Sequence, residues 1–222
     1  TLKAAVEESR KCGTGSVKRI VIKEGEYFLN ETIELDTRDN GLVIEKEEGA
    51  KVTLYGGRKI KGWQKDGKKF FAAPVENVED RIWDFRSMLV NGRFCERARL
   101  PETGRYEHLS RFNVGWATTL VRPAHAGFWR EPTREEVTTL IFNEGDINRD
   151  IEIKNAELTI FNSWETSLVG VERIDWETNT VKFSNRSGMP PGAFGTQQFV
   201  IWNTREGMTK PGQWYLDRAN SR

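Results

Sequence analysis

Ile20-Val21-Ile22, Tyr27-Phe28-Leu29, Thr32-Ile33-Glu34-Leu35, Leu42-Val43-Ile44 and Lys51-Val52-Thr53-Leu54 are short apolar or alternating runs, set between charged or glycine-containing turns. Runs this short, rich in β-branched and aromatic residues, read as strands. Ile20 to Leu35 and Leu42 to Leu54 share one form. Each has an apolar triplet, a charged turn with glycine (Gly25, Gly49) and an alternating strand. The offset is 22 residues at the first strand (20 to 42) and 19 at the last (33 to 52). A period near ~20 residues suits the coil of a β-solenoid. A β-sandwich also spaces short strands by ~8–12 residues, so spacing alone leaves both architectures open.

Outward on the N-terminal side, residues 1–12 carry Leu2, Ala5, Val6 and Ser9 at helical spacing, with Gly13 as a stop. An open first coil would expose unpaired backbone. A helix laid over that end would cover it, so the segment is expected to cap the solenoid.

Residues 83–204 change character. Six of the eight tryptophans lie here, and the coil-like repetition stops. Asn91-Gly92 predicts a type I′ turn between Met88-Leu89-Val90 and Arg93-Phe94-Cys95. Thr133-Arg134-Glu135-Glu136 fits a capping box opening a short helix. Strands are expected over 138–142, 156–164, 168–174, 180–184 and 198–203, with Trp176-Glu177-Thr178-Asn179 as a hairpin loop. Antiparallel strands of this pattern suggest a small β-sandwich. The expected division is therefore a cap and first coils over 1–82, an inserted sandwich-like domain over 83–204, and a return to the solenoid over 205–222.

Composition excludes several functions. The 222 residues carry 34 Lys and Arg against 33 Asp and Glu, a formal charge of +1. That balance gives no support for a nucleic-acid partner. No apolar run approaches the ~20 residues of a membrane span. Two cysteines, Cys12 and Cys95, fit free thiols better than a disulfide framework. The chain starts at Thr1 without a signal-peptide pattern and stops at Arg222, just after the strand-like Gln213-Trp214-Tyr215-Leu216. Both ends are expected to be cuts through a longer protein, so the compartment stays open. Oligomeric state is likewise unreadable.

Several motifs resemble those of right-handed parallel β-helix carbohydrate-active enzymes. Gly25-Glu26-Tyr27-Phe28-Leu29-Asn30-Glu31-Thr32-Ile33-Glu34-Leu35 resembles their G-T-Y-x-L-x-E-T-L-x-L opening. Leu54-Tyr55-Gly56-Gly57-Arg58-Lys59-Ile60-Lys61-Gly62-Trp63 resembles S-G-G-x-x-I-x-G-W. Leu89-Val90-Asn91-Gly92 with Ala98-Arg99-Leu100-Pro101 resembles V-N-G followed by A-R-x-P. Pro211-Gly212-Gln213-Trp214-Tyr215-Leu216-Asp217 resembles P-G-E-W-Y-L-D. The resemblance implies a mainly β chain: a right-handed parallel β-helix start with an N-terminal capping helix and an early β-sandwich-like insert. It implies glycoside hydrolysis of plant or microbial polysaccharide; the compartment is unknown, with a secreted or periplasmic one as the candidate. The catalytic carboxylates would lie on later coils, leaving this piece inactive alone. A non-catalytic carbohydrate-binding or adhesin-like solenoid and a polysaccharide lyase are the alternatives, because fold does not fix function.

Candidate contacts to sugar come from aromatics and their polar neighbours. Trp164 beside Glu165 would let an indole stack on a ring while the acid holds hydroxyls. The opposing account buries the Trp and exposes the Glu, since strand neighbours point opposite ways. Residues 115–130 have no clear period and hold Trp116, His125, Phe128 and Trp129. A long loop there would offer Trp116, His125 and Trp129 to substrate. Met189-Pro190-Pro191-Gly192 marks a second loop. His108 and His125 show no ligand spacing, and Asp146, Asp150 and Asp175 match no calcium loop. No metal and no cofactor are expected. Arg97 and Arg99 suit carboxylates of the protein or of a uronic acid, and Asp217 suits a turn.

Overall fold

The computed structural model describes residues 1–13, 17–113, 130–195 and 197–222. The described chain is mainly β, with one short α-helix and 15 strands. It divides into two compact units, Thr1–Ala73 and Pro74–Arg222.

In the first unit α1 (Leu2–Ser9) is opened by Thr1, whose hydroxyl accepts from the Ala4 N–H. Val6 is its buried residue, while Leu2, Ala5 and Ser9 are half-buried, as the helical spacing requires. The helix packs beside β1 (Lys18–Ile22). Arg10, just past its end, grips Asp39 with two hydrogen bonds of 2.8 and 2.6 Å. Asp39 closes a 3-10 turn, Thr37–Asp39, capped reciprocally by Asp36.

β1 pairs in parallel with β3 (Leu42–Lys46), and β2 (Gly25–Phe28) pairs in parallel with β4 (Val52–Tyr55). The registers correct the sequence period. Ile20 faces Ile44, and Tyr27 faces Leu54. Thr32–Leu35 forms no strand; Lys3 reaches Glu31 and Arg10 reaches the Glu34 carbonyl across this stretch instead. Alternation of Ile33 and Leu35 with charged residues satisfied a strand pattern, but among the described residues no second strand pairs with it to complete a ladder. Each parallel ladder has two strands. Phe28 stacks on Tyr55 across the second, with ring centres 4.9 Å apart. A further hairpin, β5 (Gln64–Asp66) and β6 (Phe70–Ala72), went unread in the sequence.

The second unit begins with the hairpin of β7 (Met88–Val90) and β8 (Arg93–Cys95). Asn91 and Gly92 take φ of 51° and 75°, the left-handed pair of a type I′ turn. Gly92→Ala should cost about 1 kcal/mol in chemical denaturation, because alanine resists that φ.

Seven strands form one antiparallel sheet: β9 (Arg99–Leu100), β10 (Tyr106–Glu107), β11 (Thr139–Ile141), β12 (Glu157–Phe161), β13 (Thr166–Asp175), β14 (Thr180–Phe183) and β15 (Gln198–Trp202). Their order is β10-β15-β12-β13-β14-β11, with β9 also on β15. β13 serves two partners. Through Gly170 it pairs with β12, and from Val171 onward with β14, across a register shift. Gly170 is needed at the changeover, since a Cβ there would sit 2.5 Å from the Ser184 hydroxyl. The outer strands then meet: His108 bridges Phe142, and the Leu109 N–H donates to the Ile141 carbonyl at 2.7 Å. The sheet thereby curls around Leu140, Phe142, Leu158, Val169, Phe183 and Phe199. Burying each of these larger side chains contributes roughly 1.5–3 kcal/mol.

The capping box at Thr133 forms as expected, with the Glu136 N–H on the Thr133 hydroxyl and the Thr133 N–H on the Glu136 carboxylate. The helix it was expected to open is a turn over 134–138. Glu136 is also held by both Arg130 nitrogens, and β11 begins at Thr139. Residues 205–222 belong to the second unit. Trp214 makes a parallel bridge with Arg97, exchanging backbone hydrogen bonds with Glu96 and Ala98.

Candidate functional site

β12 ends at Phe161 and β13 starts at Thr166, so 162–165 form a tight connection at one end of the sheet. Trp164 stands at its outside, with 64% of its surface exposed. Phe194, 52% exposed, packs against it with ring centres 4.6 Å apart and planes tilted by 49°. Phe194 sits at φ +58° in the loop after β14. Gly192, two residues earlier, lets this loop pass close to Ser110: a Cβ there would lie 2.1 Å from the Ser110 carbonyl oxygen. Two exposed aromatic rings side by side give an apolar face of the kind that stacks on sugar C–H surfaces.

Glu165 turns the other way. Its Oε1 accepts from the Asn162 amide at 3.2 Å and the Ser167 hydroxyl at 3.3 Å. The Gly188 N–H donates to that same hydroxyl at 2.9 Å. Gly188 lies so close that a Cβ would meet Oε1 at 2.5 Å. Glu165 therefore ties the connection to the following loop, beneath the ring that Trp164 exposes. The account that buries Trp164 and exposes Glu165 is reversed, because the two lie in the connection between β12 and β13 and not within a strand. Trp116, His125 and Trp129, the remaining expected contacts, lie outside the described residues.

The arginines meet carboxylates of the protein. Arg97 donates to Glu157 Oε2 at 2.9 Å, and Arg218 donates to Glu157 Oε1 at 2.6 Å. Arg218 also holds Asp84 at 2.7 Å, and Arg86 reaches Glu157 at 3.2 Å. Glu157 is 1% exposed. Burial pushes its carboxyl up, but the Arg97 hydrogen bond and the surrounding cations pull harder and leave it below the usual range. Burial pushes Arg97 down. Arg99 donates to the Pro101 and Gly104 carbonyls and lies over the Trp202 ring. Asp217 accepts from Asn155, Tyr215, Asn220 and Arg222, fixing the last turn. This buried cluster is a joint between β12 and 205–222.

His108 is 2% exposed and packs near Phe199. Neither ring nitrogen completes a hydrogen bond among the described residues. Burial pushes the imidazole down to about 4, against a weaker pull from the Ser110 backbone. Asp175 caps its hairpin by accepting from the Glu177 and Thr178 N–H groups.

Sequence reasoning missed Phe194 and Glu157. Phe194 was signalled only by an aromatic between Ala193 and Gly195 after a Pro-Pro-Gly turn. Glu157 was signalled by an acid inside the apolar stretch Ala156 to Ile160.

No protein-family model matches this chain, and no curated protein does. A solved structure titled "Glycoside hydrolase" shares the fold with a TM-score of 0.69 and 22% identity, over 100% of this chain and 38% of that one. The chain thus spans well under half the length of that neighbour.

Proposed function

We propose that this chain is the opening part of a carbohydrate-active β-helix protein, a glycoside hydrolase acting on plant or microbial polysaccharide. The fold shared with the glycoside hydrolase along the whole chain carries this reading. The parallel ladders β1–β3 and β2–β4 support a solenoid start, and the parallel bridge of Arg97 with Trp214 supports renewed coiling after the antiparallel insert. Hydrolysis needs two carboxyl groups, about 5–5.5 Å apart for retention or about 6.5–9.5 Å for inversion. The buried acids among the described residues are all engaged, Glu157 by arginines, Asp39 by Arg10 and Asp217 by Asn155, Asn220 and Arg222, and Glu165 is engaged by its own loop. On this reading the catalytic pair belongs to coils beyond these residues, and this portion contributes the cap, the first coils and a surface that meets substrate.

The test is turnover of aryl glycosides and plant polysaccharides by the 222-residue chain, with binding read in the same samples. Binding without turnover is the expected result. Turnover by this chain alone would overturn the placement of the catalytic pair. The Trp164–Phe194 platform is the binding element. Trp164→Ala should weaken saccharide binding about tenfold, the loss of roughly 1.4 kcal/mol of stacking and burial. Thermal stability should stay nearly unchanged, since the ring is exposed. Equal affinity for the variant in calorimetric titration would remove Trp164 from the site. A non-catalytic sugar-binding solenoid is the second reading. The platform favours it, because stacking needs no acid pair.

A further inference from the structure

A groove of about 490 Å³ opens between the turn before β11 and the strand β14. Arg134, Lys182 and Arg186 line it, with Glu172 as the acid beside them. Glu172 is engaged by Arg173 at 3.2 Å. Three cations against one carboxylate exceed the net +1 of the entire chain, so positive charge is gathered here. Lys182 is held in place: its ammonium donates to the Thr138 hydroxyl at 2.9 Å, and that hydroxyl donates to the Arg134 carbonyl at 2.7 Å. An ammonium carries three donors, and Thr138 takes one. Asn185 forms a fixed wall, its amide group bonded to Gly170 and Leu168 of β13. Arg134 and Arg186 are exposed on the rim.

The groove is joined to the aromatic platform by one piece of chain. Residues 184–194 supply Ser184, Asn185 and Arg186 to the groove, rest Gly188 on Glu165, and end at Phe194 against Trp164. An extended ligand following this loop would meet rings at one end and cations at the other. Guanidinium forks match the paired oxygens of a carboxylate or sulfate.

We infer that this groove binds the oxyanion of an acidic saccharide, carboxylated or sulfated, another sugar of which lies on Trp164 and Phe194. The inference rests on the carbohydrate reading above and names the substrate class of the same surface.

The experiment is calorimetric titration of the 222-residue chain with three probes: oligogalacturonate, a sulfated galactan oligomer and neutral xylo-oligomers of equal length. One or both acidic probes should bind at least tenfold tighter than the neutral one, with affinity falling as salt rises. The double variant Arg134→Ala/Arg186→Ala should erase that advantage and leave neutral binding intact. Trp164→Ala should weaken acidic and neutral ligands alike. A preference for oligogalacturonate identifies the anion as carboxylate, and one for the galactan as sulfate. Equal binding of all three probes, unmoved by the double variant, overturns the groove while the carbohydrate reading survives. Binding of none overturns both.

Discussion

Glu157→Gln should lower the unfolding free energy by about 3–5 kcal/mol, the range for removing one partner of a buried ion pair. The carboxylate is the shared acceptor of Arg97 and Arg218, both buried, and of the half-exposed Arg86. Glutamine keeps the shape and removes the charge. Arg218 would keep Asp84, whereas Arg97 would be left as a buried cation. Its Nε and one terminal nitrogen already lack partners among the described residues. Urea denaturation at pH 7 measures the loss, with Arg97→Met as the second corner of a cycle and the double variant as the third. Glu157→Gln/Arg97→Met should recover part of the loss, since an apolar side chain in place of the stranded cation relieves desolvation. A loss under about 1 kcal/mol for Glu157→Gln, or strict additivity in the double variant, would show that the cluster is not the joint between β12 and the last segment.

What the sequence disclosed, and what it hid, follows from the range of the forces involved. Local signals held: Asn91-Gly92 made its turn, Thr133 and Glu136 made their box, and the five strands from 138 to 203 appeared near their expected bounds. Each depends on neighbours within a few residues. The parallel strands were found, but their register was not. The pairing of Ile20 with Ile44 depends on what the chain does over 30–41, where Asp36, Arg38, Asp39 and Arg10 build a polar turn. Thr32–Leu35 shows the limit of alternation as a signal, because a strand also needs a partner. At the candidate site, Trp164 was visible from its residue type. Its ring partner lies 30 positions away and was not. Glu157, the most enclosed acid, was invisible because its arginines come from 60 positions before and 61 after. Long-range polar clusters leave only one trace in a sequence, a charged residue where apolar ones are due.

The same logic makes His108 the second large effect, with acid as its trigger. The imidazole is buried, and its native protonation is pushed down to about 4 from an unfolded value of 6.5. At pH 7 the native imidazole is neutral and the unfolded one mostly so, and the group contributes little pH dependence. As pH falls below 6.5, the unfolded chain takes up a proton that the native chain refuses until about 4. Stability is therefore lost across that window, by about 3 kcal/mol in total. Glu157 loses its contribution at lower pH, since its folded value lies below the usual 4.5, so the two effects separate along the pH axis. Urea denaturation at pH 7, 6, 5 and 4 should show the decline in the native sequence. His108→Leu should flatten it between 6.5 and 4, whatever its own cost at pH 7. The chain has two histidines, so the imidazole proton spectrum holds two signals, and His125→Gln assigns them. A His108 signal titrating near 6.5 in the folded protein, or a decline unchanged in His108→Leu, would mean that the ring reaches solvent. The closure of the sheet at His108 and Phe142 would then be looser than these strands depict.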